Sequence, residues 1–155
     1  MADFAFVESW RIPAPIQLVW DEIQGIEHWP EWWPTVEHVE TLEAGDSRGL
    51  GSVRRIGLRG PFRFRTSISV RTTRIEAPTV LEGVAVGALT GWGCWQLTGD
   101  GRETSVRLDW RFDRRLRWPK ALLPLARPFY RWVFSTVMHD GQLGLLRRLQ
   151  RELVG

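Results

Sequence analysis

The chain has 155 residues, 43% hydrophobic and 25% charged, which suits a single globular domain over residues 1–155. Its lone cysteine, Cys94, excludes an internal disulfide framework, no apolar run is long enough for a bilayer span, and Met1–Val7 has no signal core, so a cytoplasmic location is expected. The net charge of +3 is unevenly spread, with ten acids and one base (Arg11) in residues 1–47; no recognition motif accompanies the basic remainder, and nucleic acid is not expected as a partner.

Phe4 to Ile12 alternates, with Phe4, Phe6, Trp10 and Ile12 on one face, which predicts a strand. Glu8 falls on that same face. A buried, unpaired carboxylate is costly, so Glu8 must pair, stay protonated or turn outward; Arg55 and His38 are candidate partners. Pro13-Ala-Pro15 opens a helix with Ile16, Val19, Trp20 and Ile23 at helical spacing, stopping at Gly25. A second short helix or turn spans Glu27 to Trp33, inside the indole-rich run His28-Trp-Pro-Glu-Trp-Trp-Pro34.

From Val36 the chain reads as successive strands: Val36–Leu42, Val53–Leu58, Phe62–Ile75, Val80–Val86, Leu89–Thr98 and Arg102–Asp113. Gly45–Gly51 and Asp100-Gly101 supply turns between them. Phe62–Ile75 alternates for longest, which implies one buried and one solvated face. The final element is a helix from Arg127 to Leu153, with Pro128 in its first turn and a stripe of Tyr130, Phe134, Val137, Met138, Gly141, Leu145 and Leu149. Gly141 and Gly144 each cost roughly 1 kcal/mol against Ala in mid-helix. Either a neighbouring backbone comes close there, or the helix is thinned to leave room for a ligand. A meander of strands gives the helix one place to bury its stripe, the inner face of a curved sheet.

Trp10-Arg-Ile-Pro-Ala-Pro15, Val19-Trp20-Asp21, Trp29-Pro-Glu-Trp-Trp-Pro34 and Val137-Met138-His-Asp-Gly141-Gln-Leu-Gly144-Leu145 occur in that order. Together they resemble the START-like, or polyketide cyclase/dehydrase and lipid-transport (SRPBCC), superfamily. The resemblance implies an α+β helix-grip fold: a seven-stranded curved antiparallel sheet around a long C-terminal helix, with two short helices between strands 1 and 2. It also implies a deep apolar cavity between sheet and helix. It does not imply a reaction, because the superfamily mixes cyclases, lipid carriers, receptors and uncharacterised members.

No metal site or cofactor is expected, since His28, His38 and His139 lack ligand spacing. Gly49-Leu-Gly51 and Gly91-Trp-Gly93 are glycine pairs without the helix-opening Lys-Ser/Thr of a phosphate loop. Ser52 and Ser135 have no nucleophile-elbow context, and no residue is assigned a catalytic role. The candidate ligand-binding residues are Trp10, Trp33, Arg55, Phe64, Ile68, Trp95, Trp110, Phe134, Met138 and Gly141, with Glu8 as a buried acid. Trp10, Trp33 and Trp95 are open between core and ligand wall.

The expected function is binding, or transport, of an apolar small molecule, lipid-like or polyketide/aromatic. The alternative is a polyketide aromatase/cyclase, which needs a donor to polarise a carbonyl and a group to move a proton. A third class is a protein-interaction module. Arg114-Arg-Leu-Arg-Trp-Pro-Lys120, with Leu122, Leu123 and Leu125 behind it, reads either as a solvated turn or as a basic, apolar lip making transient contact with an anionic membrane. Nothing in the sequence sets an oligomeric state.

Overall fold

The computed structural model describes residues 4–60, 65–86, 91–113 and 120–154. In chain order come β1 (Phe4–Ile12), α1 (Ile16–Gln24), a 3₁₀ turn (Ile26–Glu31), β2 (Val36–Glu43), β3 (Val53–Arg59) and β4 (Arg65–Glu76). Then follow β5 (Val80–Val86), β6 (Gly91–Gly99), β7 (Thr104–Phe112), a short 3₁₀ turn (Lys120–Leu122) and α2 (Leu123–Val154). The seven strands form one sheet in the order β1-β7-β6-β5-β4-β3-β2, every pair antiparallel. Short connections make β2 to β7 a meander. α1 and the 3₁₀ turn carry the chain from β1 to the opposite edge, so β1 is left to pair with β7. This is the helix-grip fold that the resemblance of the sequence motifs implies.

Alternation sets which face is buried. Phe4, Phe6, Trp10 and Ile12 of β1, Val106 and Leu108 of β7, and Trp95 and Leu97 of β6 all lie at or below 7% exposure. Against this concave face α2 buries Ala126, Phe134, Met138, Leu145 and Leu149. At an assumed ~25 cal/mol per Å² of apolar surface, each such large side chain contributes roughly 1.5–3 kcal/mol.

Two element starts differ from the sequence expectation by more than one residue. α2 begins at Leu123, before Arg127, so Pro128 stands inside the helix rather than in its first turn. The hydrogen bond Pro128 cannot donate is lost near the helix start, where the ring disturbs few preceding turns. β7 begins at Thr104 rather than Arg102, because the Asp100 carboxylate accepts hydrogen bonds from the backbone N–H groups of Arg102 (2.7 Å) and Glu103 (3.0 Å) and closes the turn. β4 is seen from Arg65; Phe62 and Phe64, predicted at its start, lie outside the described residues, as does Leu89 before β6.

Candidate functional site

Between α2, the 3₁₀ turn at Ile26–Glu31 and the concave sheet lies a cavity of about 120 Å³. Ile26, Trp29 and Trp33 wall one end, and Val137 and Met138 of α2 form the roof. The sheet contributes Ile56 and Leu58 of β3, Ile68, Val70 and Thr72 of β4, Leu81, Gly83 and Ala85 of β5, Gly91, Gly93 and Trp95 of β6, and Leu108 and Trp110 of β7. Apart from indole N–H groups, Thr72 and Glu82 are the polar side chains among the described lining residues. The Glu82 carboxylate stands 3.8 Å from the Arg74 guanidinium.

The room comes from the strands. Gly83, Ala85, Gly91 and Gly93 occupy alternate, inward positions of adjacent strands, where Gly83 pairs with Gly93 and Ala85 with Gly91. Side chains of ordinary size at those positions would fill the interior. Gly93 is the most open of the three glycines: a Cβ there would meet only the Asp109 carbonyl oxygen, at 3.8 Å. At Gly83 and Gly91 it would press on the Arg71 and Arg111 carbonyls at 3.0 and 2.9 Å.

The helix glycines have the other cause considered from the sequence. A Cβ on Gly141 would lie 2.6 Å from the Trp33 ring, and one on Gly144 would overlap the Trp32 carbonyl. Around them the indole-rich segment is pinned to α2. The Trp33 indole N–H donates to the Val137 carbonyl at 2.9 Å. Asp140 accepts from the Thr35 backbone N–H (3.1 Å) and hydroxyl (2.7 Å). The helix is thinned to admit its neighbour, not a ligand.

Two aromatic clusters bracket the cavity. At one end Trp10, Trp29, Trp32, Trp33 and Trp95 pack mostly edge to face, Trp10 lying 5.5 Å from Trp95 and 6.0 Å from Trp33. Beyond Trp110, Phe134 stacks on Phe6 at 5.4 Å, and Phe4, Phe112 and Tyr130 join them. Of the residues singled out in the sequence, Trp33, Ile68, Trp95, Trp110 and Met138 line the cavity. Trp10 stands behind Trp33 and Trp95, its indole N–H buried without an acceptor among the described residues. Phe134 packs into the second cluster, Gly141 is covered by Trp33, and Phe64 lies outside the described residues.

Arg55 does not reach the cavity. It is exposed and pairs with Glu40 at 3.1 Å, because its strand register puts Arg54 and Ile56, not Arg55, on the inner face. His38 is also exposed and covers Gly57, so neither residue partners Glu8. Glu8 is half-buried and accepts a hydrogen bond of 2.9 Å from the Ser135 hydroxyl of α2. Arg54, by contrast, bonds the buried Ser52 hydroxyl (2.7 Å) and Glu27 (2.8 Å), tying β3 to the 3₁₀ turn.

A second polar tie sits where α1, the turn and α2 meet. Arg148 pairs with Glu22 at 2.7 Å and Glu31 at 3.2 Å. Burial raises the Glu22 pKa, outweighing the guanidinium beside it, whereas hydrogen bonds from His28 and then Arg148 lower that of Glu31. Burial pushes the Cys94 thiol up, away from a reactive thiolate. Among the described residues no three of His, Cys, Asp and Glu gather to hold a metal ion, and no helix is long and apolar enough to cross a membrane.

The family of polyketide cyclase / dehydrase and lipid transport proteins matches residues 3–151. The chain belongs to that family. No curated protein sequence matches the chain. In fold this family member is similar to the Zhui aromatase/cyclase of Streptomyces sp. R1128, with a TM-score of 0.79 at 19% identity, over 97% of this chain and 95% of the other. It is similar also to a START superfamily protein of Mycobacterium smegmatis (TM-score 0.77, 11% identity, 95% and 97% covered). The ginseng major latex-like protein 151 of Panax ginseng shares the fold too (TM-score 0.67, 13% identity, 92% and 97% covered). At such identities the likeness is one of fold.

Sequence reasoning missed the small residues of β5 and β6 and most of the aliphatic wall. A signal was present: Gly83 with Ala85, and Gly91 with Gly93, are spaced two apart, as residues sharing one face of a strand must be.

Proposed function

We propose that this family member binds a small apolar molecule, one or two aromatic rings or a short alkyl chain, in the cavity between α2 and the sheet. The observation that carries this is the wall itself: indoles and aliphatic side chains around about 120 Å³, with Thr72 and Glu82 for polarity. A dry cavity of about 150 Å³ lined by aliphatic and aromatic groups takes up benzene. Sites for drug-sized ligands run to about 300–1,000 Å³. The volume therefore favours a compact ligand over a long polyketide or a full lipid chain, and stacking between Trp33, Trp95 and Trp110 favours a flat one.

Aromatase/cyclase chemistry, the activity named for the Streptomyces neighbour, needs a carbonyl-polarising donor and a proton-moving group in the wall. Glu8 and Ser135 bond each other outside the lining, and Glu82 alternates with the inward Gly83, so its carboxylate stands toward Arg74 on the outer face. The Thr72 hydroxyl is then the polar side-chain group left to the described wall, and binding is the reading we favour. Naphthalene is a suitable probe. It should raise the melting temperature, reaching about 2.7 kcal/mol of stabilisation at a hundredfold excess over Kd. Native mass spectrometry of the purified protein should show a co-purified apolar mass. If naphthalene leaves the melting temperature unchanged and no such mass is found, this reading fails.

A further inference from the structure

Thr72 lines the cavity from the inner face of β4 and is 5% exposed. Gly83, opposite it on β5, has no side chain that could cover it. On its other side the chain before β3 runs alongside. The Thr72 backbone N–H donates to the Ser52 carbonyl at 2.9 Å, and the Gly51 N–H donates to the Thr72 carbonyl at 2.8 Å. Both backbone groups of Thr72 are satisfied in this way, which leaves its hydroxyl.

The direction of the hydroxyl's bonds follows from Ser52, which is 0% exposed. The Arg54 guanidinium donates to the Ser52 hydroxyl oxygen at 2.7 Å. Among the described residues the Ser52 proton then has the Thr72 oxygen, at 3.4 Å, as its acceptor. A fully buried hydroxyl proton takes the partner it has. Thr72 therefore receives a hydrogen bond, a long one for two hydroxyls, and its own proton has no acceptor among the described residues. A buried donor left unmatched is costly. The Arg54 charge, relayed through Ser52, also makes the Thr72 O–H a stronger donor.

The rest of the wall has the same sense. Trp29 and Trp33 spend their indole N–H groups on the Ile23 and Val137 carbonyls. The indoles of Trp95 and Trp110 can donate and cannot accept. Glu82 stands toward Arg74 on the outer face. The side-chain polarity of the described wall is thus that of donors. An oxygen that matches it must accept a hydrogen bond and have no proton of its own to place. A carbonyl meets both conditions, whereas a phenol would strand its proton.

We infer that, given binding in this cavity as proposed above, the ligand is a flat aromatic molecule with a carbonyl oxygen at its edge, and that Thr72 selects it by donating a hydrogen bond to that oxygen. The indoles hold the rings, and Thr72 sets which edge turns toward β3 and β4.

The test uses 1-indanone and indane, which share a skeleton and differ by a carbonyl in place of a methylene. Calorimetric titration of the purified chain with each reads what the oxygen contributes. Thr72→Val keeps the shape and removes the hydroxyl, so affinity for 1-indanone should fall about fivefold while that for indane does not. Thr72→Ser keeps the hydroxyl and should restore the preference for the ketone. A second measurement needs no variant. Hydrogen bonding weakens a C=O bond, so the infrared band of 1-indanone, isotope-labelled at the carbonyl, should lie lower in frequency in the wild-type protein than in cyclohexane. A bound band at the cyclohexane position overturns the inference. So does a folded Thr72→Val variant whose two affinities change together or not at all. Indane separates this result from the cavity reading: if indane and naphthalene bind and the carbonyl band is unshifted, the role of Thr72 alone fails. If neither hydrocarbon binds, the cavity reading fails and this inference with it.

Discussion

Gly141 and Gly144 in α2 and Gly83, Gly91 and Gly93 in β5 and β6 face the same interior, and they differ in what stands where a side chain would be. On the helix side the space is taken, by the Trp33 indole and the Trp32 carbonyl. On the sheet side, at Gly93, it is open and belongs to the cavity. Gly141 and Gly144 therefore mark close approach, as Gly83 and Gly91 do against neighbouring strands, whereas Gly93 marks vacancy. The distinction rests on what crosses in front of it. The run Trp29 to Thr35 folds down onto α2 and meets β6 at Trp95, but nothing crosses in front of Gly93, so the same interior is packed at one place and hollow at the other.

The largest effect should come from breaking the packed side. Gly144→Ala sets a methyl against a backbone carbonyl that cannot rotate away, and should cost about 3 kcal/mol or more despite the roughly 1 kcal/mol gained in helix propensity. For a chain of this size that is about 6–12 °C in melting temperature. Gly141→Ala meets a ring rather than backbone and should cost less, about 1–2 kcal/mol. Denaturant titration of both variants checks the order; no loss at Gly144 would mean that the Trp32 contact is not tight.

The matching change on the hollow side is Gly93→Leu. Its Cβ meets nothing closer than ordinary contact, so its methyl groups should enter the cavity. Naphthalene affinity should fall at least tenfold while stability stays within about 1 kcal/mol of wild type. Calorimetric titration and a thermal scan read the two quantities independently. A folded Gly93→Leu variant with undiminished binding would place the ligand elsewhere.

Smaller effects test the polar ties that hold the walls apart. The partner of Glu8 is the neutral Ser135 hydroxyl, so Glu8→Ala leaves no counter-charge stranded and should cost about 1–2 kcal/mol, far less than breaking a buried ion pair. Glu8→Gln keeps an acceptor for Ser135 and should stay within about 0.5 kcal/mol. A loss above about 3 kcal/mol in Glu8→Ala would point to a charged partner instead.

The smallest effect is a pH dependence at Glu22. Its folded pKa is raised above the unfolded value, chiefly by burial, so the folded state binds this proton more tightly. The resulting stability is fully present below the ordinary carboxylate pKa and is lost as pH rises through the raised value. Wild type should therefore gain on Glu22→Gln as pH falls from neutrality into the carboxylate range. Denaturant midpoints of the two proteins should converge or cross in that window; a gap that widens toward neutral pH in favour of wild type would show that the Arg148 pairing outweighs burial.

The strands and the two short helices were legible from local pattern, because side-chain periodicity of two or near four records which face is wetted. Phe4–Ile12 and Val80–Val86 have the bounds read from sequence. The same alternation put Glu8 on the face of Phe6 and Trp10 and left open whether it pairs or turns outward. Its partner was not legible, since Ser135 is 127 positions away and only the docking of α2 on β1 brings them together. Arg55 was misplaced for a related reason: Val53–Arg59 mixes apolar and charged residues on both faces, and pairing with β2 and β4 settles which one looks inward.

The sequence by itself determined the order of elements, the amphipathic character of α2 and the family. What only the tertiary structure decided is where the interior is full and where it is empty. Gly141 and Gly93 are the same residue type, and no local periodicity separates them. Close packing is a property of non-neighbours, fixed when Trp33 settles against one glycine and nothing settles against the other.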